Sequence, residues 1–180
     1  VLLDRRPVFG WLWRKSGFAE VARLRSLFED KESPRPKHVA IDLMPVLAGG
    51  ENGGAKVFAI ELIKGLVRLY PDCTFSLLKR RLARKKVLGQ GPRLLARGVD
   101  LLFCPFTDPT YVEPGLPSVC TIHDLQYKTY PQFFSEEDVR HRDAVFLRAV
   151  EKSTLLAAVS DYARGSAIQH GRLPHQKIKT

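Results

Sequence analysis

A glycine-rich segment between a predicted strand and a predicted helix is the first candidate for chemistry. Gly49, Gly50, Gly53 and Gly54 follow the apolar, β-branched run 39–43. Glycines allow backbone N–H groups to approach an anionic ligand closely, and a helix N-terminus adds a partial positive charge. The same segment without a ligand is a tight turn between strand and helix, and the glycines alone do not distinguish these two interpretations.

The glycine segment matches neither of the two common phosphate-binding motifs. A P-loop needs a lysine directly after its last glycine and then Ser or Thr, but Ala55 occupies the lysine position and Val57 cannot bind magnesium. A dinucleotide fingerprint needs Gly-x-Gly-x-x-Gly and an acid after the next strand, where Lys79 and Arg80 stand instead. We therefore predict that this domain holds no cofactor and no metal ion.

A histidine and an aspartate follow another predicted strand directly. His123 and Asp124 come after the apolar run 118–122. Ligands of open α/β sheets bind beyond the C-terminal ends of the strands, so His123 is placed for function. The alternative is a strand-end histidine that is hydrogen-bonded to a loop. Because neighbouring strand residues point to opposite faces, we expect the side chains of His123 and Asp124 to diverge.

Alternating strands and helices are predicted to position these residues. Such alternation implies a mostly parallel sheet with right-handed crossovers, so we predict an α/β, Rossmann-like fold with helices on both faces. Four segments would share its C-terminal edge: the glycine loop, 106–111, 123–127 and 160–162. The predicted strands are 39–43, 73–78, 99–103, 118–122 and 155–159, and the predicted helices are 54–70, 93–97, one capped by Ser135, and one capped by Ser160 that stops at Gly171 and Pro174.

The helix after the glycine loop is apolar almost all round. Lys56, Glu61, Lys64 and Arg68 form a narrow polar stripe on it. A helix with this pattern is expected to lie largely buried against a sheet.

Length and composition indicate one domain with an appendage. The 180 residues contain no apolar run approaching the roughly 18 residues of a membrane span. Cys73, Cys104 and Cys120 show no metal-ligand spacing, and we expect buried, reduced thiols in a cytoplasmic protein. The chain starts at Val1 rather than methionine, which favours a fragment or a processed chain.

The basic charge is concentrated in one stretch. The formal net charge is +10, and eight basic residues and no acid lie between Lys79 and Arg97. Such a run favours phosphate-rich ligands, nucleic acid or an anionic membrane, unless it is simply a solvated helix face. Nucleic acid is disfavoured, because no aromatic residue is available there for stacking on bases.

Residues 1–36 are predicted to be an N-terminal arm and linker, separate from the domain 37–180. Trp11 and Trp13 stand among arginines and could anchor the arm at a membrane interface; the alternatives are an arm packed on the domain or the tail of an upstream unit. An amphipathic helix is predicted over 17–29, and the charged, proline-broken linker follows it.

Four segments, in this order, resemble the N-terminal domain of family 4 glycosyltransferases of the GT-B type. They span most of 38–178. The segments are IDLMPVLAGGENGGAKVFAIELIKGL, VDLLFCPF, PSVCTIHDLQYKTYPQFF and RAVEKSTLLAAVSDYARGSAIQHGRLPHQKI.

The resemblance implies the acceptor-binding half of a two-domain enzyme. Such enzymes transfer a sugar from a nucleotide-sugar donor to a glycan or a lipid-linked acceptor, with retention of configuration and usually without a bound metal. Matched position by position, Gly53 and Gly54 belong to the loop that approaches the donor diphosphate. His123 matches the active-site histidine, and Asp124 and Tyr127 would line the acceptor pocket.

The family's C-terminal donor domain has no counterpart in residues 1–180. We therefore expect these residues not to transfer sugar efficiently by themselves. The basic stretch and the tryptophan arm suggest a peripheral location at the inner face of an anionic membrane. A non-catalytic α/β module that binds a nucleotide, a phosphorylated partner or another anion is the alternative from a different functional class.

Overall fold

The computed structural model describes residues 35–46, 53–79 and 93–180. The glycines at 49 and 50, the N-terminal arm with its predicted helix, and most of the basic stretch lie outside these ranges. The strands are β1 (His38–Asp42), β2 (Thr74–Leu78), β3 (Leu101–Cys104), β4 (Ser118–Ile122), β5 (Leu155–Ala158) and β6 (Ile178–Lys179). The helices are α1 (Gly53–Leu69), α2 (Gln126–Thr129), α3 (Glu136–Lys152) and α4 (Asp161–Gly171), with 3-10 turns at Leu95–Arg97, Pro131–Phe133 and His175–Lys177.

The six strands form one parallel sheet in the order β2-β1-β3-β4-β5-β6. The predicted α/β, Rossmann-like fold is therefore confirmed. The chain runs from β1 to β2 in one direction and then places β3 on the other side of β1. This reversal creates a crevice beyond the carboxyl ends of β1 and β3, which is where ligands of such sheets bind.

The two faces of the sheet carry different helices. One face, here called the α1 face, packs Val39, Ile41 and Phe103 against Leu62 and Leu66 of α1. The opposite face, here called the α3–α4 face, packs the alternate strand residues against the two later helices. Its buried core includes Leu102, Cys120, Leu156, Phe146, Ala149, Ala163 and Ala167. Helices on both faces were predicted, and both faces have them.

In the described part of the chain, the prediction that α1 is largely buried is confirmed for one side of the helix only. Ala59, Leu62, Gly65 and Leu66 are buried, but the opposite side of the helix is open to solvent in the described part of the chain. Glu61, Lys64 and Arg68 of the predicted polar stripe are exposed, and Lys56 is half-buried. The sequence pattern of α1 did not indicate which side of the helix packs on the sheet, because that depends on other segments.

Both predicted serine caps are confirmed. The Ser135 Oγ accepts a hydrogen bond from Asp138 N at 3.1 Å, and the Ser160 Oγ accepts one from Ala163 N at the same distance. These caps satisfy N–H groups that lack partners at a helix start. None of the helices in the described ranges combines the length and the hydropathy needed to cross a bilayer.

Candidate functional site

An open cleft of about 670 Å³ lies at the crevice where the strand order reverses. Its walls come from the start of α1, the segment after β3, the segment after β4, and α3. The lining residues are Pro45, Gly53, Gly54, Ala55, Phe106, Thr107, Asp108, His123, Asp124, Leu125, Tyr127, Asp138, His141, Arg142, Val145 and Phe146. We call this the switch-point cleft.

The switch-point cleft brings together the five site residues named from the sequence. Gly53 and Gly54 contribute the start of α1, and His123, Asp124 and Tyr127 follow β4. Of the four segments predicted at this edge, only residues 160–162 do not line the cleft. The side chain of Tyr162 is instead 68% exposed.

The start of α1 lines the cleft, and in the described part of the chain no side chain crowds its two glycines. Gly53 has a φ of 49°, in the left-handed region that favours glycine. A Cβ atom added at Gly53 or Gly54 would meet no atom within 4 Å. The first N–H groups of a helix have no partner within the helix, and no acidic side chain stands in the first turn of α1. The geometry thus leaves partial positive charge at the cleft's edge.

The His123 ring is fixed by contacts on several sides. Its Nε2 lies 2.9 Å from the Pro105 carbonyl oxygen. Phe58 of α1 meets the ring edge-on, with centroids 5.1 Å apart and planes at 85°. Phe106 lies at 6.4 Å. The imidazole is therefore held between the segment after β3 and the inner side of α1.

The Pro105 contact determines the tautomer of His123. A carbonyl oxygen can only accept, so Nε2 must carry the proton that it donates. In the neutral ring, Nδ1 is then a hydrogen-bond acceptor, and no described residue donates to it. Burial lowers the pKa of His123, against smaller opposing effects of the Pro105 hydrogen bond and the Asp124 charge. The neutral ring is thus the form favoured at pH 7.

The expectation that His123 and Asp124 diverge to opposite faces was wrong. Strand β4 ends at Ile122, so both residues stand beyond the pleat that would separate them. The Asp124 Oδ1 accepts a hydrogen bond from Gln126 N at 3.2 Å. This turn starts α2 and brings Asp124 to the cleft along with His123.

Tyr127 lines the cleft with its ring while its hydroxyl is engaged elsewhere. Its side chain is buried, and its OH donates to Asp143 Oδ1 at 3.3 Å. Lys128 Nζ lies 2.6 Å from the same oxygen. Burial, followed by the Asp143 charge, raises the pKa of Tyr127. The phenol therefore stays protonated and helps to fix α2 on α3.

The chain matches no protein-family model, no curated protein and no solved structure.

Sequence reasoning missed the cleft wall formed by α3. Asp138, His141, Arg142 and Val145 occupy positions i, i+3, i+4 and i+7 of this helix, which share one side. That mixed polar spacing was visible in the sequence. It was not recognised because the apolar inner face of α3, rather than its neighbouring polar side, was used to place the helix.

Sequence reasoning also missed Asp42, the last residue of β1. Its carboxylate is fully buried and accepts hydrogen bonds from Met44 N and Tyr111 N, both at 3.0 Å. Burial raises its pKa, although these N–H groups lower it in part. An aspartate ending an otherwise apolar strand was the available signal. Asp42 joins the segments that follow β1 and β3, on which the cleft depends.

Carboxylates predominate over cations in the lining of the cleft. Asp108, Asp124 and Asp138 line the cleft together with Arg142, and Arg148 pairs with Asp108 at 3.0 Å. This contrasts with the strongly basic chain as a whole. In the described ranges, no group of three or more His, Cys, Asp or Glu side chains is arranged to hold a metal ion.

Proposed function

We propose that the switch-point cleft is the acceptor-side half of the active site of a retaining, family 4-type glycosyltransferase. The proposal rests on one observation. Gly53 and Gly54, named from the glycine loop, and His123, named from a strand seventy residues later, line the same cleft. These residues come from two separate segments of the family resemblance, and their shared position in one cleft supports the proposal.

The start of α1 suits the leaving diphosphate of a nucleotide-sugar donor. Breaking the bond between sugar and phosphate places negative charge on the departing phosphate oxygen. Preorganised N–H groups and a helix N-terminus stabilise developing charge without having to reorient. Gly53 and Gly54 leave that approach free of side chains.

His123 suits the transferred sugar rather than the phosphate. With Nε2 donating to Pro105, the Nδ1 atom can accept a hydrogen bond from a sugar hydroxyl. A neutral ring also places no positive charge beside a sugar that becomes cationic at the transition state. An imidazolium at this position would repel that charge.

The remaining lining suits a hydroxyl-rich acceptor. Asp108, Asp124 and Asp138 retain lone pairs that can accept from sugar hydroxyls, while Arg142 can donate. The groups that hold the donor nucleotide would come from a second domain, as the family resemblance implies.

The test is His123→Ala in the full-length protein. Nucleoside diphosphate release is measured with a panel of UDP- and GDP-sugars and glycan acceptors. We expect turnover to fall roughly 10²-fold or more, because a contact made at the reacting sugar is lost. The control is His175→Ala, which changes an exposed histidine outside the cleft.

Near-normal turnover of the His123→Ala protein would remove His123 from the active site. No turnover with any donor would instead favour the non-catalytic binding module. That module would use the same open start of α1, so calorimetric titration with UDP and with inorganic phosphate identifies it. Binding without turnover would mark the chain as a binding protein.

A further inference from the structure

The outer side of α1 carries an apolar stripe that no described residue covers. Val57, Ile60 and Val67 are 63%, 44% and 47% exposed, and the partly buried Ile63 lies between them. These four positions follow the spacing i, i+3, i+6 and i+10, so they lie within an arc of about 120° on the helix, an arc that also carries Lys56 and Lys64. An apolar stripe of this length usually marks a contact surface.

The α1 face of the sheet has room for a second helix beside α1. Six strands spaced about 4.8 Å apart span about 24 Å, and one helix is about 10 Å wide. Leu77 of β2 is paired in register with Ile41 of β1, so its side chain points to the α1 face. It is 43% exposed. An exposed apolar side chain thus also lies on the α1 face at the β2 edge of the sheet.

The chain enters the described structure on this same face. Arg35 and Pro36 border a small apolar cavity of about 30 Å³ with Leu66, Tyr70 and Phe75. Leu66 and Tyr70 stand at the last turn of α1. Arg35, the first described residue, therefore lies beside the C-terminal end of α1.

The arriving segment has an apolar stripe that matches the one on α1. Residues 17–29 are predicted to form an amphipathic helix with Phe18, Val21, Leu24 and Phe28 on one side. Their spacing is i, i+3, i+6 and i+10, the same as that of the α1 stripe. The two stripes are therefore equal in length, and among the described residues none covers the stripe on α1.

We propose that residues 17–29 form a helix that packs on the α1 stripe, parallel to α1, with Phe18 over Val57 and Phe28 over Val67. The direction follows from the chain: the segment must finish near the end of α1 to reach Arg35. Residues 30–34 can extend over about 17 Å, which exceeds the 8–10 Å between packed helices. Covering α1 would also stabilise its N-terminal glycines at the cleft.

Cysteine pairs in the full chain of residues 1–180 test the contact. In a Cys73→Ser background, Phe28→Cys with Val67→Cys and Phe18→Cys with Val57→Cys are treated with a short bismaleimide. We expect intrachain cross-links in both pairs, identified by peptide mass. The matched control is Phe18→Cys with Val67→Cys, whose positions would lie about 15 Å apart along the helices and should not cross-link.

Two outcomes would overturn the proposal. Cross-links between two chains would mean that a second copy covers the stripe. Absence of cross-links in all pairs, although a monofunctional maleimide labels every introduced cysteine, would mean that residues 17–29 do not lie there.

Hydrogen exchange gives an independent test of the same contact. Leu24→Asp places a charge in the proposed interface and should make the amides of α1 exchange about tenfold faster. Ser26→Asp, on the opposite side of the predicted helix, should leave them unchanged. Unchanged α1 exchange in Leu24→Asp, combined with loss of binding to anionic vesicles, would assign the segment to a membrane surface and reject the proposal.

Discussion

On each of strands β3, β4 and β5, one residue that points to the α1 face is slightly more exposed than its neighbour on the α3–α4 face, whereas Ile41 and Phe103 on the α1 face are fully buried. Leu101, Val119 and Ala157 point to the α1 face and remain 9%, 7% and 8% exposed. Their neighbours Leu102 and Cys120 point to the α3–α4 face and are at most 1% exposed. Adjacent residues on one strand share a backbone and a local sequence, so the difference arises from the helices above them.

The two faces of the sheet differ in how many described helices cover them. Two amphipathic helices cover the α3–α4 face, whereas α1 is the one described helix on its own face. Yet α1 supplies the glycines of the switch-point cleft. The glycines of the cleft therefore belong to a helix that the described residues cover on one side only. We expect the α3–α4 face to contribute more to the free energy of unfolding.

Deleting a large side chain from the α3–α4 face should have the largest effect. Phe146 is 1% exposed, so Phe146→Ala should lower the free energy of unfolding by about 3–5 kcal/mol, measured by urea denaturation. Leu147, the next residue on α3, is 52% exposed. Leu147→Ala should change the free energy of unfolding by about 0.5 kcal/mol or less. Equal losses would contradict the assignment of this face as the main core.

Removing one hydrogen-bond acceptor oxygen from Asp42 should lower the free energy of unfolding by an intermediate amount. Asp42→Asn replaces an accepting oxygen by an amide group, and leaves the N–H of Met44 or Tyr111 without its partner. We expect a loss of about 1–3 kcal/mol in unfolding free energy, measured by urea denaturation. Asp72→Asn, at an exposed aspartate, is the matched control. A neutral Asp42→Asn would mean that water replaces these contacts.

Thiol labelling should separate the two faces directly. Cys104 and Cys120 are buried on the α3–α4 face, whereas Cys73 is partly exposed and packs at the α1 face. Ellman's reagent should label one thiol per native chain and all three after unfolding. Burial raises the pKa of Cys73, so its labelling should accelerate above pH 9. Fast labelling of Cys120 would contradict the packing of that face.

The smallest effect on stability is expected from the titration of His123, whose ring contacts Phe58 of α1. Burial lowers the pKa of His123 in the folded chain, so it should titrate below the ordinary value of about 6.5. The unfolded chain then binds more protons as the pH falls, and this contribution to stability is present above pH 6.5 and lost below it.

Nitrogen NMR of the imidazole checks both the titration and the tautomer. The neutral ring should carry its proton on Nε2, as the Pro105 carbonyl requires. The substitution His123→Gln should flatten the pH dependence of stability below pH 6.5. A proton on Nδ1 would contradict the arrangement proposed for sugar binding.

Much of the fold was predictable because its signals are local. The run Ser118–Ile122 is β-branched and apolar, and it is a strand with the predicted bounds. Ser135 and Ser160 cap helices because a serine hydroxyl accepts from an N–H three residues later. The strand β6 was missed, because two residues form a strand only through pairing with β5.

The candidate site was predictable in part. His123 and the glycines could be named because strand ends and glycine-rich turns are visible along the chain. The α3 wall and the role of Asp42 could not be placed without the fold, since Tyr111 lies sixty-nine residues from the aspartate that accepts its N–H. The roles assigned to the five named residues remain predictions.

The sequence by itself determined the alternation of strands and helices, the parallel sheet and the edge at which its polar residues gather. These properties follow from hydrophobic periodicity and capping, which act within a few residues. The tertiary structure decided which nitrogen of His123 is protonated, since a carbonyl eighteen residues away makes that contact. It also decided which side of α1 is buried, because burial depends on what distant segments bring into contact.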